Sequence, residues 1–455
     1  MQQLKLAIDG LEEASLYHEA DSRSFLAVCT QEANGKFTQW CVKPNGLPDY
    51  LALIEPGDRM NVWLSQGEFA GPNRRIVNLT RMGLCFLDLD TYKSPAKNWP
   101  RQQVIAKINE LCAIAGIPSP SLIIFSGQGY QIKWLLSSYL PRQALVRWNI
   151  VQERLVDLFK PLGADPSAKD AARILRMPGT INLKTGKRVE IVHFRGRSID
   201  TTTAVDFEDL ARVFLPLNRL GKAVKADKRA EAAESTPFQL VADNPGFKNQ
   251  ALKQINTRIL AWDRLHDLRK LAEMRGGIRE GMRNSFLLVV ACQMALSGLI
   301  YPQNFKSEVR VLQEEISKDG KWLRDRNLLV TLQDRVNKHH SNEKVDFNGK
   351  AVTPIYTYRT ATIIQLLEIT PEEQRKLKTL ISTDMAKERN TLRERSKRRA
   401  AGVVERKEYI EQHKQTAAQR RQQILEMHAQ GMKPMQIMAE LNISRAVVTR
   451  AIAQR

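Results

Sequence analysis

Cysteine and histidine are scarce in this 455-residue chain, with five and seven of each. The cysteines, at 29, 41, 85, 112 and 292, are odd in number and widely spaced. That spacing excludes a disulfide framework and CxxC-type zinc ligation, and is the pattern of buried, reduced thiols. A membrane-spanning segment is also missing. The longest apolar stretch, Phe286 to Tyr301, contains Gln293 and Ser297 and falls short of the ~18–20 apolar residues a spanning helix needs. The first residues, MQQLKLAIDGLEE, are acidic where a signal peptide has its apolar region, so a cytosolic chain with no membrane partner is expected. No GxxxxGK[ST] sequence is present, which excludes a P-loop helicase or ATPase, and no nucleophile–histidine constellation stands out. Internal repeats are absent too.

What the chain has in excess is positive charge. Lys plus Arg number 70 against 49 Asp plus Glu, a net of +21, which favours a polyanionic partner such as nucleic acid. Residues 1–220 carry 27 basic and 22 acidic residues, and residues 221–455 carry 43 and 27, so two differently employed halves are expected. The first half reads as mixed α/β. Strand-length apolar runs occur at Phe25–Cys29, Phe37–Val42, Met60–Leu64, Met82–Leu87, Leu122–Phe125, Gln131–Leu135 and Val189–Phe194, with helical periods at Arg101–Ala115 and Arg142–Phe159 between them. The second half reads as helix, with a break at Gly276–Gly277 and a helix start at Thr370-Pro371-Glu372-Glu373. The expected division is 1–215, a polar linker 216–236, an all-α segment 237–386, a basic helix or arm 387–415 and a terminal module 416–455.

Three segments of the first half carry chemistry. Residues 82–90 read MGLCFLDLD, an apolar run ending in Asp88 and Asp90. On a strand these two point to one face, and at about 6–7 Å they repel by roughly 2–3 kcal/mol at an effective dielectric near 20. A divalent cation such as Mg²⁺ or Mn²⁺ would relieve that repulsion; two solvated aspartates opening a turn is the plainer reading. Residues 122–136 read LIIFSGQGYQIKWLL, two strands joined by Ser126-Gly127-Gln128-Gly129. Small residues let backbone N–H groups approach a phosphate, but taken alone this is an ordinary glycine hairpin. Residues 163–188 read GADPSAKDAARILRMPGTINLKTGKR, holding Asp165, Asp170, Arg173, Arg176 and Lys184. Arginine supplies the planar fork that grips phosphate, and Arg173 and Arg176 share a face if helical and diverge if extended. A solvated basic loop is the alternative.

In this order the segments resemble motifs I, II and III of the archaeo-eukaryotic primase superfamily, most of all the primase-polymerases of plasmids and phages. The DxD is Asp88 and Asp90, and the tail R-x-x-R-x-P-G-T-x-N-x-K is matched from Arg173 to Lys184. Gln131 stands where the family has a histidine that contacts the triphosphate, so weaker contact is expected there. The resemblance covers residues 60–195 and implies an RRM-like sheet packed with an α/β N-terminal module. It implies Asp88, Asp90 and Asp165 as catalytic ligands of two Mg²⁺ or Mn²⁺ ions, with Asp170 as a rival to Asp165. It implies Ser126, Gly127, Gly129, Gln131, Arg173, Arg176 and Lys184 as the nucleotide-binding set. Residues 279–299 resemble helical domains that follow such cores.

Residues 416–455 have the spacing of a helix-turn-helix: helices near Ala418–Ala429 and Pro434–Leu441, then Ser444 as N-cap of a third. Ser444, Arg445, Val448 and Thr449 are the expected DNA-contacting residues; a three-helix appendage for protein contacts is the alternative. The expectation is a primase or primase-polymerase of a bacterial mobile element, nucleoid-associated. It would act on single-stranded DNA template with NTP or dNTP, hold duplex DNA through its C-terminal module and work with a separate replicative helicase. The alternative is a replication initiator or regulator that keeps the primase fold with little or no catalysis.

Overall fold

The computed structural model describes residues 10–55, 59–196, 203–215, 245–317, 326–402 and 406–453. The expected linker 216–236 lies outside them. The chain forms two compact units, residues 1–380 and 381–455. The first half and the helical segment therefore belong to one unit, and the expected boundary near 386 falls inside a helix.

The first unit opens with α1 (Gly10–Ser15), β1 (Leu26–Glu32), β2 (Phe37–Val42), α2 (Leu47–Ile54) and β3 (Met60–Ser65). After β4 (Gly67–Phe69) comes the long β5 (Leu79–Leu89), then α3 (Arg101–Ala115), β6 (Leu122–Phe125), β7 (Tyr130–Pro141) and α4 (Leu145–Phe159). The segment beyond α4 supplies β8 (Ile174–Arg176), β9 (Ile181–Asn182), β10 (Lys187–Arg188) and β11 (Glu190–Phe194), followed by α5 (Phe207–Phe214).

Two antiparallel sheets result. The larger has the order β11-β6-β7-β5-β4, and its βαββα succession is the expected RRM-like part. Its centre is apolar on both faces: Leu84, Phe86, Leu87, Ile123, Ile132 and Trp134 are buried. Trp134 packs edge-on to Phe159 of α4, and the Trp148 indole donates to the Leu84 carbonyl (2.9 Å). The smaller sheet has the order β2-β1-β3-β8. Its alternation turns Leu26, Val28, Val62 and Leu64 into a core with Met177 and Leu47 of α2. The last strand of this sheet, β8, comes from the arginine-rich segment, so that segment joins the two sheets.

The rest of the unit is mostly helical: α6 (Pro245–Met274), α7 (Arg283–Ser297), α8 (Pro302–Ile316), α9 (Arg326–His340), α10 (Thr360–Leu366) and α11 (Pro371–Lys376). The capping box at Thr370 and Glu373 is present. One correction concerns the all-α expectation. A hairpin, β12 (Val345–Phe347) with β13 (Lys350–Val352), interrupts the helices. Asn348 and Gly349 both have positive φ (52° and 74°), the backbone of a tight two-residue hairpin turn. No helix among the described residues is long and apolar enough to cross a membrane. All five cysteines are free and four are buried.

The helical segment is tied to the sheets by polar groups. Arg258 donates to Asn149 (2.5 Å) and pairs with Glu153 of α4, and Asn149 donates to the Tyr301 hydroxyl (3.1 Å). The buried Glu308 of α8 accepts from the backbone N–H groups of Ile76 (3.0 Å) and Val77 (3.1 Å). Burial pushes its carboxyl up to about 7, against the pull of those two N–H groups. Between pH 4.5 and 7 the folded chain therefore keeps a proton that the unfolded chain has lost, and stability falls as pH rises through that window. Glu308→Gln should remove on the order of 3 kcal/mol of this pH dependence. Denaturant unfolding at about pH 5 and pH 8 checks this: the wild-type loss on raising pH should be larger than that of the variant.

Candidate active site

The end of β5 builds the acidic cluster. β4 pairs with β5 only as far as Met82, so the outer edge of the rest of the strand needs other partners. Gln152 of α4 supplies the first, its amide bonding the N–H and carbonyl of Phe86. Residues 163–165 supply the next. Asp165 N–H donates to the Asp88 carbonyl and Asp90 N–H to the Gly163 carbonyl, both at 2.8 Å, with Leu89 and Ala164 forming the bridge between them. Asp165 thus sits directly opposite Asp88, and the pleat places its side chain on the face of Asp88. Gly163 (φ +85°) lets the backbone come this close, since a Cβ there would meet the Asp90 carbonyl.

Asp88 is half-buried, and its carboxyl is pushed up to about 6, first by burial, then by Asp90 and Asp165, while Arg173 and Arg176 pull it down. The other two carboxylates have partners. Asp90 is paired with Lys93 (2.5 Å). Asp165 accepts from the Ser167 hydroxyl (2.7 Å) and pairs with Arg173 (3.2 Å). Among the described residues no group of three Asp, Glu, His or Cys side chains is set to hold a metal ion. The rival Asp170 accepts from the Ala172 N–H, its carboxyl raised by burial.

Arg176 is on β8 and Arg173 immediately precedes it, and both lie close enough to Asp88 to pull on its proton. Arg176 donates to Asn61 Oδ1 (2.5 Å) and lies 4.8 Å from the Trp63 ring centre. Asn61 also accepts from the Leu183 N–H (3.0 Å), so one β3 side chain fixes both ends of the arginine-rich tail. The Lys184 ammonium lies 5.9 Å from the Tyr92 ring centre. Arg74 donates to the Ala172 carbonyl and to Gln39.

The Ser126–Gly129 turn is packed against this tail. Ser126 Oγ accepts from the Gly129 N–H (3.2 Å), and the Ser126 carbonyl accepts from Asn182 Nδ2 (2.9 Å). A Cβ at Gly129 would fall on the Leu89 carbonyl, and one at Gly127 would meet Asn182. Gln131 is opposite Asp88 in the β5–β7 register and is buried. Its amide faces the Arg176 backbone, with Oε1 accepting from the N–H (2.8 Å) and Nε2 donating to the carbonyl (3.2 Å). The residue expected to touch a phosphate thus joins the two sheets. Two strand positions further on, Lys133 is fully buried and pairs with Glu13 of α1 (2.6 Å). Burial lowers its ammonium pKa and Glu13 opposes that. The alternation Gln131–Ile132–Lys133 was the available sequence signal for both.

The second unit contains α12 (Thr383–Ala400), with no buried residue, α13 (Arg406–Ala429), α14 (Pro434–Leu441) and α15 (Arg445–Ala453). α13 runs unbroken through the expected boundary at 415. α13, α14 and α15 pack through Ile424, Ile437, Val448 and Ala451. This corrects one expected contact. Val448 is fully buried in that core, whereas Ser444, Arg445, Val447 and Thr449 are exposed.

Gln131→Leu keeps the volume and strands both Arg176 backbone groups, so it should cost about 1–3 kcal/mol. Chemical denaturation checks this, and an unchanged midpoint would show that the amide does not hold β8. In the second unit, Arg445→Ala with Thr449→Ala should weaken duplex DNA binding with an unchanged helical signal. Val448→Ala should instead loosen the three-helix core, read as a lower melting temperature of that module.

Residues 416–454 match the homeodomain-like domain family. Over 346 residues the chain is 27% identical to a replication protein of Clostridium perfringens, covering 76% of this chain and 73% of that protein. Among solved structures it is similar to the archaeo-eukaryotic primase domain of the cyanophage S-2L primase-polymerase (16% identity, TM-score 0.33, 45% of this chain and 96% of that one). It is also similar to the primase RepB′ (12% identity, TM-score 0.29, 72% and 92%). Its structural neighbours are thus primase and primase-polymerase domains, its sequence relative is a replication protein, and its C-terminus is a homeodomain-like helix-turn-helix.

Proposed function

We propose that the chain is a DNA primase or primase-polymerase that makes primers on single-stranded DNA by metal-assisted nucleotidyl transfer. The observation that carries this is the pairing of residues 163–165 with the end of β5, which puts Asp165 opposite Asp88 and beside Asp90, with Arg173 and Arg176 at the same carboxylates.

The donor chemistry suits Mg²⁺ or Mn²⁺: Asp88, Asp90 and Asp165 are hard carboxylates near enough to raise the Asp88 carboxyl together with burial, though their side chains would have to turn from their present partners to hold an ion. Asp88, Asp90 and Asp165 would hold the ions, with Asp90 leaving Lys93 and Asp165 leaving Ser167. Bound there, divalent ions supply nucleophile activation and neutralisation of phosphate charge. The chain's own groups do the positioning. Arg173 and Arg176 are cationic forks within reach of the acidic cluster; release of Asp165 would leave Arg173 free for phosphate oxygens, and Arg176 would meet them from its place on Asn61. Lys184 and Lys93 flank Tyr92 and add positive charge at the mouth. Ser126, Gly127 and Gly129 shape the wall on which a triphosphate would rest. Gln131 holds Arg176 in place through its backbone. The C-terminal module and the basic α12 would keep the protein on duplex DNA, the latter through phosphate contacts without sequence preference.

A second reading, a replication initiator on a primase scaffold with weak catalysis, is favoured by Gln131, whose amide is committed to Arg176 and carries no charge for a phosphate.

Incubation with single-stranded template, labelled NTPs or dNTPs and Mg²⁺ or Mn²⁺ separates the two. Short products are expected, and they should fall on the order of 100-fold or more in Asp88→Ala and Asp90→Ala while duplex binding is retained. A wild-type chain that makes none with either metal leaves the initiator reading standing.

A further inference from the structure

The face of the smaller sheet turned away from α2 leads to the acidic cluster; its middle, at the buried Cys29, is covered by Gln39 and Arg74, and its rings flank that cover. Strand register aligns Gln39 of β2, Cys29 of β1, Trp63 of β3 and Arg176 of β8 in one transverse row. The alternate residues form the core against α2, so this row faces the other way. Phe37, two residues before Gln39, is on the same face and 51% exposed. Its ring centre lies 6.1 Å from that of Trp63, tilted by 45°. Trp63 in turn stands 4.8 Å from the Arg176 guanidinium, and the Arg176 backbone is held by Gln131, which lies opposite Asp88 in the β5–β7 register. An exposed ring, a half-buried ring and a cation therefore run in line from the outer strand of the sheet to the cluster. Arg74 joins the same face, its Nε donating to Gln39 (3.0 Å).

We infer that this face is a track for single-stranded DNA. Bases would stack on Phe37 and Trp63 and a backbone phosphate would meet Arg74, delivering the strand to the acidic cluster, where Arg176 serves the nucleotide. The inference rests on the proposed function for the identity of the strand, as template. Aromatic rings presented on a sheet face beside cationic groups bind single strands because every base has a π-face, whatever the sequence. A protein partner suits the face less well. Its apolar surface is a line of two rings, bordered by Gln39, Gln31 and the arginines, and it ends at carboxylates where nucleotide chemistry is proposed. The row also gives a reason for Trp63 on a strand whose other face already supplies the core.

Binding of a labelled twelve-residue deoxythymidine strand to the full-length chain tests this. Unlabelled duplex in excess occupies the C-terminal module, and metal and nucleotide are left out. Phe37→Ala and Trp63→Ala should each weaken strand binding on the order of ten-fold, and Trp63→Phe should retain most of it. Phe37 is exposed, so its variant reports on binding even if Trp63→Ala disturbs the fold; a thermal melt identifies that case. Unchanged affinity in Phe37→Ala overturns the track. The readout is independent of catalysis. If the wild type makes no primers but Phe37→Ala loses the strand, the primase reading fails and the track stands. If primers form and strand affinity ignores both rings, the track fails alone.

Discussion

Two backbone hydrogen bonds, Asp165 N–H to the Asp88 carbonyl and Asp90 N–H to the Gly163 carbonyl, fix the site on which the proposed chemistry depends. The edge they occupy exists because β4 is only three residues long and leaves the second half of β5 unpaired on that side. An open strand edge buried among helices has to find donors and acceptors. Gln152 serves Phe86, and the turn after α4 serves Asp88 and Asp90. The turn can approach because Gly163 has no Cβ. A carboxylate from far along the chain is thereby delivered opposite the first by the ordinary geometry of an antiparallel pair. The close grouping helps to raise the Asp88 carboxyl to about 6, and the same crowding makes a divalent cation a fitting guest.

The second constraint joins the two sheets. β8 belongs to the smaller sheet by register with β3, and its Arg176 backbone is held from the larger sheet by the buried Gln131 amide. The Lys133–Glu13 pair, fully buried a few residues away, holds α1 against the same strand as Gln131. A buried ion pair contributes little net stability, but separating its partners exposes one uncompensated charge at a cost of roughly 3–5 kcal/mol. The two contacts therefore act less by adding stability than by fixing position: Gln131 holds β8 and the arginines that face the acidic cluster, and Lys133 holds α1.

What sequence reading captured was mostly local. β2, β6 and α3 have the expected limits because apolar alternation and helical period are carried by neighbouring residues. Asp88, Asp90 and the arginine-rich tail stood out because their spacing is short. What was missed depends on distant partners. No local pattern shows that Ile174–Arg176 pairs with β3, so the question of whether Arg173 and Arg176 share a face stayed open until β8 was placed. Gln131 was read by its position in a motif, while its partner, the Arg176 backbone, lies in a different sheet. Val448 was placed toward DNA because helix-turn-helix spacing does not say which side of a short helix faces its own core. The β12–β13 turn is encoded in Asn348-Gly349, but the helical periods on either side dominate that stretch of sequence.

The central claim is that these three aspartates form a divalent-metal site for nucleotidyl transfer. Anomalous diffraction from crystals of the full chain grown with Mn²⁺ and a nucleoside triphosphate tests it most directly. The account predicts a manganese peak among the carboxylates of Asp88, Asp90 and Asp165, with Asp90 released from Lys93 and the triphosphate toward Arg173 and Arg176. Manganese bound elsewhere, with the Asp90–Lys93 and Asp165–Arg173 pairs intact, would contradict it.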